Sequence, residues 1–182
     1  MNANPLCFCG SNANFSSCCQ PYINNTIAVQ TAEQLMRSRF SAYAIGDAQY
    51  IYDTYAKSSR SAQSVKDIDD WSKSCVWIAL NLHPTVSQDD NKTSSIVEFS
   101  AFYITNNTLC ELSEKSRFVM EESTHHHPLT QWYYLDGDII SHTELANIKR
   151  NELCPCNQFA TSWQVKKGKK FKHCCGKKRV ET

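Results

Sequence analysis

Eight of the chain's ten cysteines fall into four tight pairs, two near each end of its 182 residues. "LCFCGSNANFSSCCQ" carries Cys7 and Cys9, then Cys18 and Cys19. "LCPCNQFATSWQVKKGKKFKHCCGKK" carries Cys154 and Cys156, then Cys174 and Cys175. Thiols at this spacing suit tetrahedral coordination of a soft cation, since structural zinc takes four ligands with sulfur at about 2.3 Å. The first set contains no histidine, so zinc bound there must be held by four sulfurs. Disulfides and idle buried thiols are the competing readings. Disulfides need an oxidising compartment, and the N-terminus has neither a basic nor an apolar leader segment. The longest purely apolar run, "CVWIAL" (75–80), has six residues, far short of the roughly 18 of a membrane span. The expectation is a soluble, cytoplasmic chain, not inserted in a membrane, whose paired cysteines are metal ligands.

The spacing also sets what each segment must do. Eight residues separate Cys9 from Cys18, enough for a turn and a short helical turn that bring the pairs together. Gly10 stands directly after Cys9, where backbone N–H groups must turn towards sulfur and a side chain would obstruct. Segments this short have no core of their own, so metal would supply their folding energy. Each is therefore expected to unfold locally when its ligands are lost. Seventeen residues separate Cys156 from Cys174, so the second segment is expected to extrude "FATSWQV" as a loop. His173 precedes Cys174 but aligns with Ser17 of the first segment, which makes it a neighbour of the ligands. Lone Cys75 and Cys110 lie in strand-like runs and read as buried small hydrophobes.

The elements between the two sets must hold them. "TIAVQTAEQLMRSRFSAYAIGD" (26–47) has helical apolar spacing and ends at Gly46. Residues 47–55, with Asp47 as N-cap, and 64–74 are shorter helical candidates. The period then changes to two. Four segments, 75–86, 94–105, 109–122 and 130–140, are rich in β-branched and aromatic residues and separated by short polar turns. Helices followed by strands, without βαβ alternation, predict an α+β fold with N-terminal helices packed on a curved antiparallel meander. The predicted units are a knuckle at 1–25, an α+β domain at 26–148 and a second knuckle at 149–182.

"CFCGSNANFSSCC" and "CPC…GKKFKHCCG" resemble the SEC-C motif, known from the C-terminus of the SecA translocation ATPase. "LMRSRFSAY" (35–43), "EKSRF" (114–118) and "WYYLDG" (132–137) extend the likeness to the YchJ family. That resemblance implies an NTF2-like (cystatin-like) middle domain between two SEC-C knuckles. It also implies two structural zinc sites, on Cys7, Cys9, Cys18 and Cys19 and on Cys154, Cys156, Cys174 and Cys175, and a role in protein–protein contact. Two departures stand out: "NANFSS" lacks the basic stretch common in the motif, and the second knuckle carries about nine extra residues.

Charge separates the two ends. Residues 149–182 hold ten Lys/Arg against two Glu, while 1–148 hold nine against sixteen acids, and 1–32 hold no charge. The neutral first knuckle is expected to pack on its own domain through Leu6, Phe8 and Phe15. The second is expected to present Lys166, Lys167, Lys169, Lys170 and Lys172 to an acidic protein partner; nucleic acid is the lesser reading. "STHHHPL" (123–129), with His125, His126 and His127, reads as a solvated turn, and His83 and His142 have no evident partner. No Ser-His-Asp set, phosphate loop or HExxH motif is present. Glu98, Glu111, Glu121, Asp136 and Arg117 read as structural, and no catalytic residue is assigned. Arg37 and Arg39 lie about 200° apart on a helix and cannot share one cavity. The leading expectation is a zinc-knuckle adaptor; the alternative is a ligand-binding or catalytic middle domain recruited by its knuckles.

Overall fold

A computed structural model describes residues 5–84, 93–123, 129–164 and 168–177. The first cysteine segment runs into one helical turn, α1 (Gln20–Ile23), with Pro21 in its first turn. The main helix, α2 (Ala32–Ile45), begins six residues later than periodicity suggested. The reason is a reciprocal cap: Thr31 Oγ1 accepts from Gln34 N, and Gln34 Oε1 accepts from Thr31 N. Gly46 ends the helix at φ 83°, in the left-handed region, donating its N–H to Ala42 O. Three shorter helices follow: α3 (Ala48–Asp53), capped by Asp47; α4 (Lys57–Arg60); and α5 (Val65–Ser74), capped by Ser64.

Four strands complete the domain: β1 (Val76–His83), β2 (Ser94–Thr105), β3 (Thr108–Glu122) and β4 (Thr130–Asn147). They pair antiparallel in sequence order, the expected meander. Register shifts in β1 and at three points along β3 and β4 bend the sheet. β4 extends seven residues beyond its predicted end. Its outer half, "DIISHTELAN", is exposed throughout, so no buried face imposed a clean alternation on it.

The inner face of the sheet packs on α2 through Leu35, Met36 and Phe40 against Trp77, Phe99, Ala101 and Tyr103. Cys75 and Cys110 lie in this cluster as buried hydrophobes. The outer face of β1 and β2 is covered over Ile78, Phe102 and Ile104 and opens to solvent at His83. Ile78, Phe102 and Ile104 pack there against Phe171, Cys154, Cys156 and Cys175 of the second cysteine segment. β2 is therefore buried on both sides from Phe99 to Ile104, matching the run "FSAFYI", in which Ser100 is the one small polar residue.

The remaining candidates have structural partners. Arg117 on β3 pairs with Asp136 and Asp138 on the exposed edge, both at 2.5 Å. Glu121 Oε2 accepts from Lys57 N at 3.1 Å. His83 and His142 do have partners: His83 Nε2 lies 3.0 Å from Ser100 Oγ, and His142 Nε2 lies 2.5 Å from Tyr103 O–H. Both are cross-strand contacts invisible to a linear reading: β1 to β2 for His83, and β4 across β3 to β2 for His142. His125, His126 and His127 fall outside the described residues.

Candidate metal centres

Each cysteine segment folds as the same small unit. In the first, Leu6 bridges Asn14, Cys7 N donates to Ala13 O, and a 3-10 turn (Phe15–Ser17) delivers Cys18. In the second, Leu153 bridges Lys170, Cys154 N donates to Lys169 O, and a 3-10 turn (Phe171–His173) delivers Cys174. Even the backbone at the third cysteine repeats, with φ −119° and ψ −94° at Cys18 and φ −128° and ψ −115° at Cys174. One sequence grammar has given one geometry twice.

The structure brings all eight predicted sulfurs into two clusters of four. Within each, every sulfur lies within 4.8 Å of the others. Cys9 to Cys18 is 3.7 Å, Cys18 to Cys19 3.9 Å, Cys156 to Cys174 3.5 Å and Cys174 to Cys175 4.0 Å. A tetrahedron with metal–sulfur bonds of about 2.3 Å has edges of about 3.8 Å. These distances fit that figure and exceed a disulfide bond, and all ten cysteines are free. His173 is exposed on the turn carrying Cys174, and the cluster beside it consists of four sulfurs.

The thiols perturb one another's acidity. Cys9 is held far below the ordinary thiol range by hydrogen bonds from Cys19 and Cys7. Cys154 is held at about 2 by Cys156 and Cys175 in the same way. Cys19 and Cys175, the donors, are driven far up by those bonds and by burial. A cluster that stabilises one thiolate while its neighbours hold their protons is one in which a cation displaces those protons.

Both units are tied into the domain. Cys7, Cys9 and Cys19 are buried in one cluster with Ile23, Ala42, Tyr50, Ile51 and Ile68. Cys7 Sγ lies 3.7 Å from Ser41 Oγ, and Arg37 Nη1 donates to Cys9 O at 3.3 Å. Phe8 and Phe15 pack inward as expected, whereas Leu6 is 36% exposed. The expectation of autonomous, coreless knuckles is corrected here. Each shares an apolar cluster with the middle domain, because six of the eight cysteines carry their sulfur inward.

The insertion is not extruded. Phe159 packs on Phe102 with ring centroids 4.4 Å apart, and Thr161 Oγ1 donates to Asn81 Oδ1 at 2.8 Å. Trp163 Nε1 donates to Trp77 O at 3.2 Å, and its ring lies 4.6 Å from that of Phe8 in the other knuckle. Gln164 Nε2 donates to Cys175 Sγ at 3.1 Å, and its Oε1 accepts from Cys174 at 3.1 Å. The six residues from Phe159 to Gln164 thus clasp sheet, first knuckle and second cluster together. The signal in the sequence was two aromatic rings in a segment that a solvated loop would not need.

Gly10 is where the knuckles meet. It has φ 76°, and a Cβ there would lie 2.4 Å from Thr161 O. The obstruction comes from Thr161 of the second knuckle, and the turn itself adds the left-handed backbone. Gly10→Ala is expected to destabilise by about 2 kcal/mol or more, adding a clash to left-handed strain. A chemical denaturation midpoint unchanged from the parent would refute this contact.

Among the predicted lysines, Lys169 and Lys170 are exposed and Lys172 is half-buried; Lys166 and Lys167 fall outside the described residues. No described helix is long and apolar enough to cross a membrane.

The model of the YchJ middle, NTF2-like domain matches residues 31–137. A UPF0225 protein of Photorhabdus laumondii is 34% identical over 173 residues, covering 94% of this chain and 98% of that protein. One from Geobacter sulfurreducens is 32% identical, with the same coverage. Among solved structures, a SEC-C motif containing protein from Psychrobacter arcticus superposes with a TM-score of 0.63 at 28% identity, covering 93% of this chain and 94% of that one. The solution structure of another, from Rhodopseudomonas palustris, gives 0.62 at 26% identity, covering 74% and 98%.

Proposed function

The chain belongs to the YchJ (UPF0225) family, and from that premise we propose that it is a zinc-dependent interaction protein of the cytoplasm. Its two SEC-C knuckles hold structural zinc, and its basic second knuckle recognises an acidic protein partner. The observation that carries this reading is the division between the faces of that knuckle. Phe171, Cys154 and Cys175 are buried against the sheet, while Lys169 and Lys170 point to solvent in a segment carrying ten basic residues against two acids. Solvated lysines steer association and are screened over about 8 Å at physiological salt.

Elemental analysis of the reduced, metal-replete chain should give about two zincs, on four ligands each. Replacing Lys166, Lys167, Lys169, Lys170 and Lys172 by Gln should abolish capture of the partner from native lysate without changing zinc content. Capture by the parent should weaken steeply as salt rises. Capture unaffected by the substitutions, or indifferent to salt, refutes the basic surface; a metal content near zero refutes the zinc. The alternative, a ligand-binding middle domain, is favoured by the aromatic cavity between α2, α5 and the sheet.

A further inference from the structure

The fold leaves a cavity of about 170 Å³ between α2, α5 and the inner face of the sheet. Its walls are largely aromatic, with Tyr43, Trp71 and Trp77 on one side and Tyr55 and Tyr134 on another. Trp71 is 37% exposed and Glu114 is half-buried, so the opening lies on their side. A cavity of about 150 Å³ can admit a benzene ring, so the space suits a molecule built on one ring.

Arg39 lines this cavity and is only 4% exposed. Its guanidinium lies over the rings of Tyr55 and Tyr134, 4.5 Å and 4.6 Å from centroids that are themselves 5.2 Å apart. Nη1 is spent, donating to Ile51 O at 2.8 Å and Thr54 Oγ1 at 2.7 Å. Among the described residues, Nε and Nη2 have no acceptor and no carboxylate lies within 4.0 Å of the group. A buried cation without a counter-ion is costly, and removing it from water is offset only by a partner. Glu114, the one carboxylate among the described residues lining the cavity, is held by neighbouring hydroxyls: its Oε1 accepts from Ser116 O–H at 2.6 Å and Tyr134 O–H at 2.9 Å. Arg37, 200° around the helix, goes instead to Glu33 and Cys9 O.

We propose that this cavity binds a small planar carboxylate with a single-ring apolar body, its carboxylate paired with the free edge of Arg39. The guanidinium offers two parallel N–H donors, the geometry that matches a carboxylate. The site is independent of the knuckles and goes beyond the adaptor reading.

Trp71 and Trp77 line the cavity, so tryptophan fluorescence of the full chain reports occupancy. Titration with benzoate should give saturable quenching, and benzamide and benzylammonium should bind at least about tenfold more weakly, the worth of one charge-assisted pair. Arg39→Met should lose benzoate binding by a similar factor. Should that variant fail to fold, Glu114→Gln decides: removing a nearby negative charge should tighten benzoate severalfold and leave benzamide unchanged. Absence of benzoate binding at tens of millimolar, or equal binding of all three probes, overturns the proposal in favour of a water-filled or merely apolar cavity. An unchanged benzoate affinity in Glu114→Gln does the same.

Discussion

Cys9→Ser is expected to lower the thermal midpoint of the whole chain by more than about 10 °C, and chelating the bound metal should do the same. The effect follows from where the sulfurs sit. Cys7, Cys9 and Cys19 share a buried cluster with Ala42 of α2, Ile51 of α3 and Ile68 of α5. Ser41, next to Ala42, reaches Cys7 directly. Structural zinc in short peptides contributes about 10–16 kcal/mol of apparent binding energy, comparable with the total stability of a domain. Losing several kcal/mol costs about 2–4 °C each in a chain of this size. Without metal, the first knuckle no longer covers Ile51 and Tyr50, so the helices lose their apolar lid. Calorimetry should show one cooperative transition that moves as a unit. A middle domain that keeps its midpoint while the N-terminal segment unfolds alone would refute the shared core.

Trp163→Ala is expected to cost about 3 kcal/mol and to uncouple the two metal centres. The ring contacts Phe8 at 4.6 Å, and its Nε1 satisfies Trp77 O. Partly buried tryptophans lie at the lower end of the 3–5 kcal/mol typical of large-to-small changes. Gln164, the next residue, touches Cys174 and Cys175, so slack in the clasp reaches the second cluster directly. In the parent, a chromophoric chelator should withdraw both metals in one phase, since opening either knuckle loosens the other. The variant should release them in two. Two phases in the parent, or one in the variant, would show that the insertion does not transmit between sites.

The sequence alone determined the two cysteine clusters and the grammar of this protein. Cys-x-Cys followed by Cys-Cys allows few ways to gather four sulfurs, and local turns suffice, so the membership of both four-sulfur clusters was legible in order. Asp47 and Ser64 cap the helices they were expected to cap or begin, and the period of two marked all four strands, because these are short-range properties of the backbone. The ends of α2 and β4 were less legible: a side-chain cap decided the first, and an exposed edge weakened the pattern of the second. Only the tertiary structure decided what lies on the outer face of the sheet. A linear pattern records that Phe102 and Ile104 are apolar, and nothing in it says that a knuckle about fifty residues downstream covers them. The partners of Trp163, the reason Gly10 must be glycine and the guanidinium of Arg39 over two tyrosines are likewise long-range. Each depends on residues far apart in the chain meeting at a few ångströms, and that meeting is set by packing.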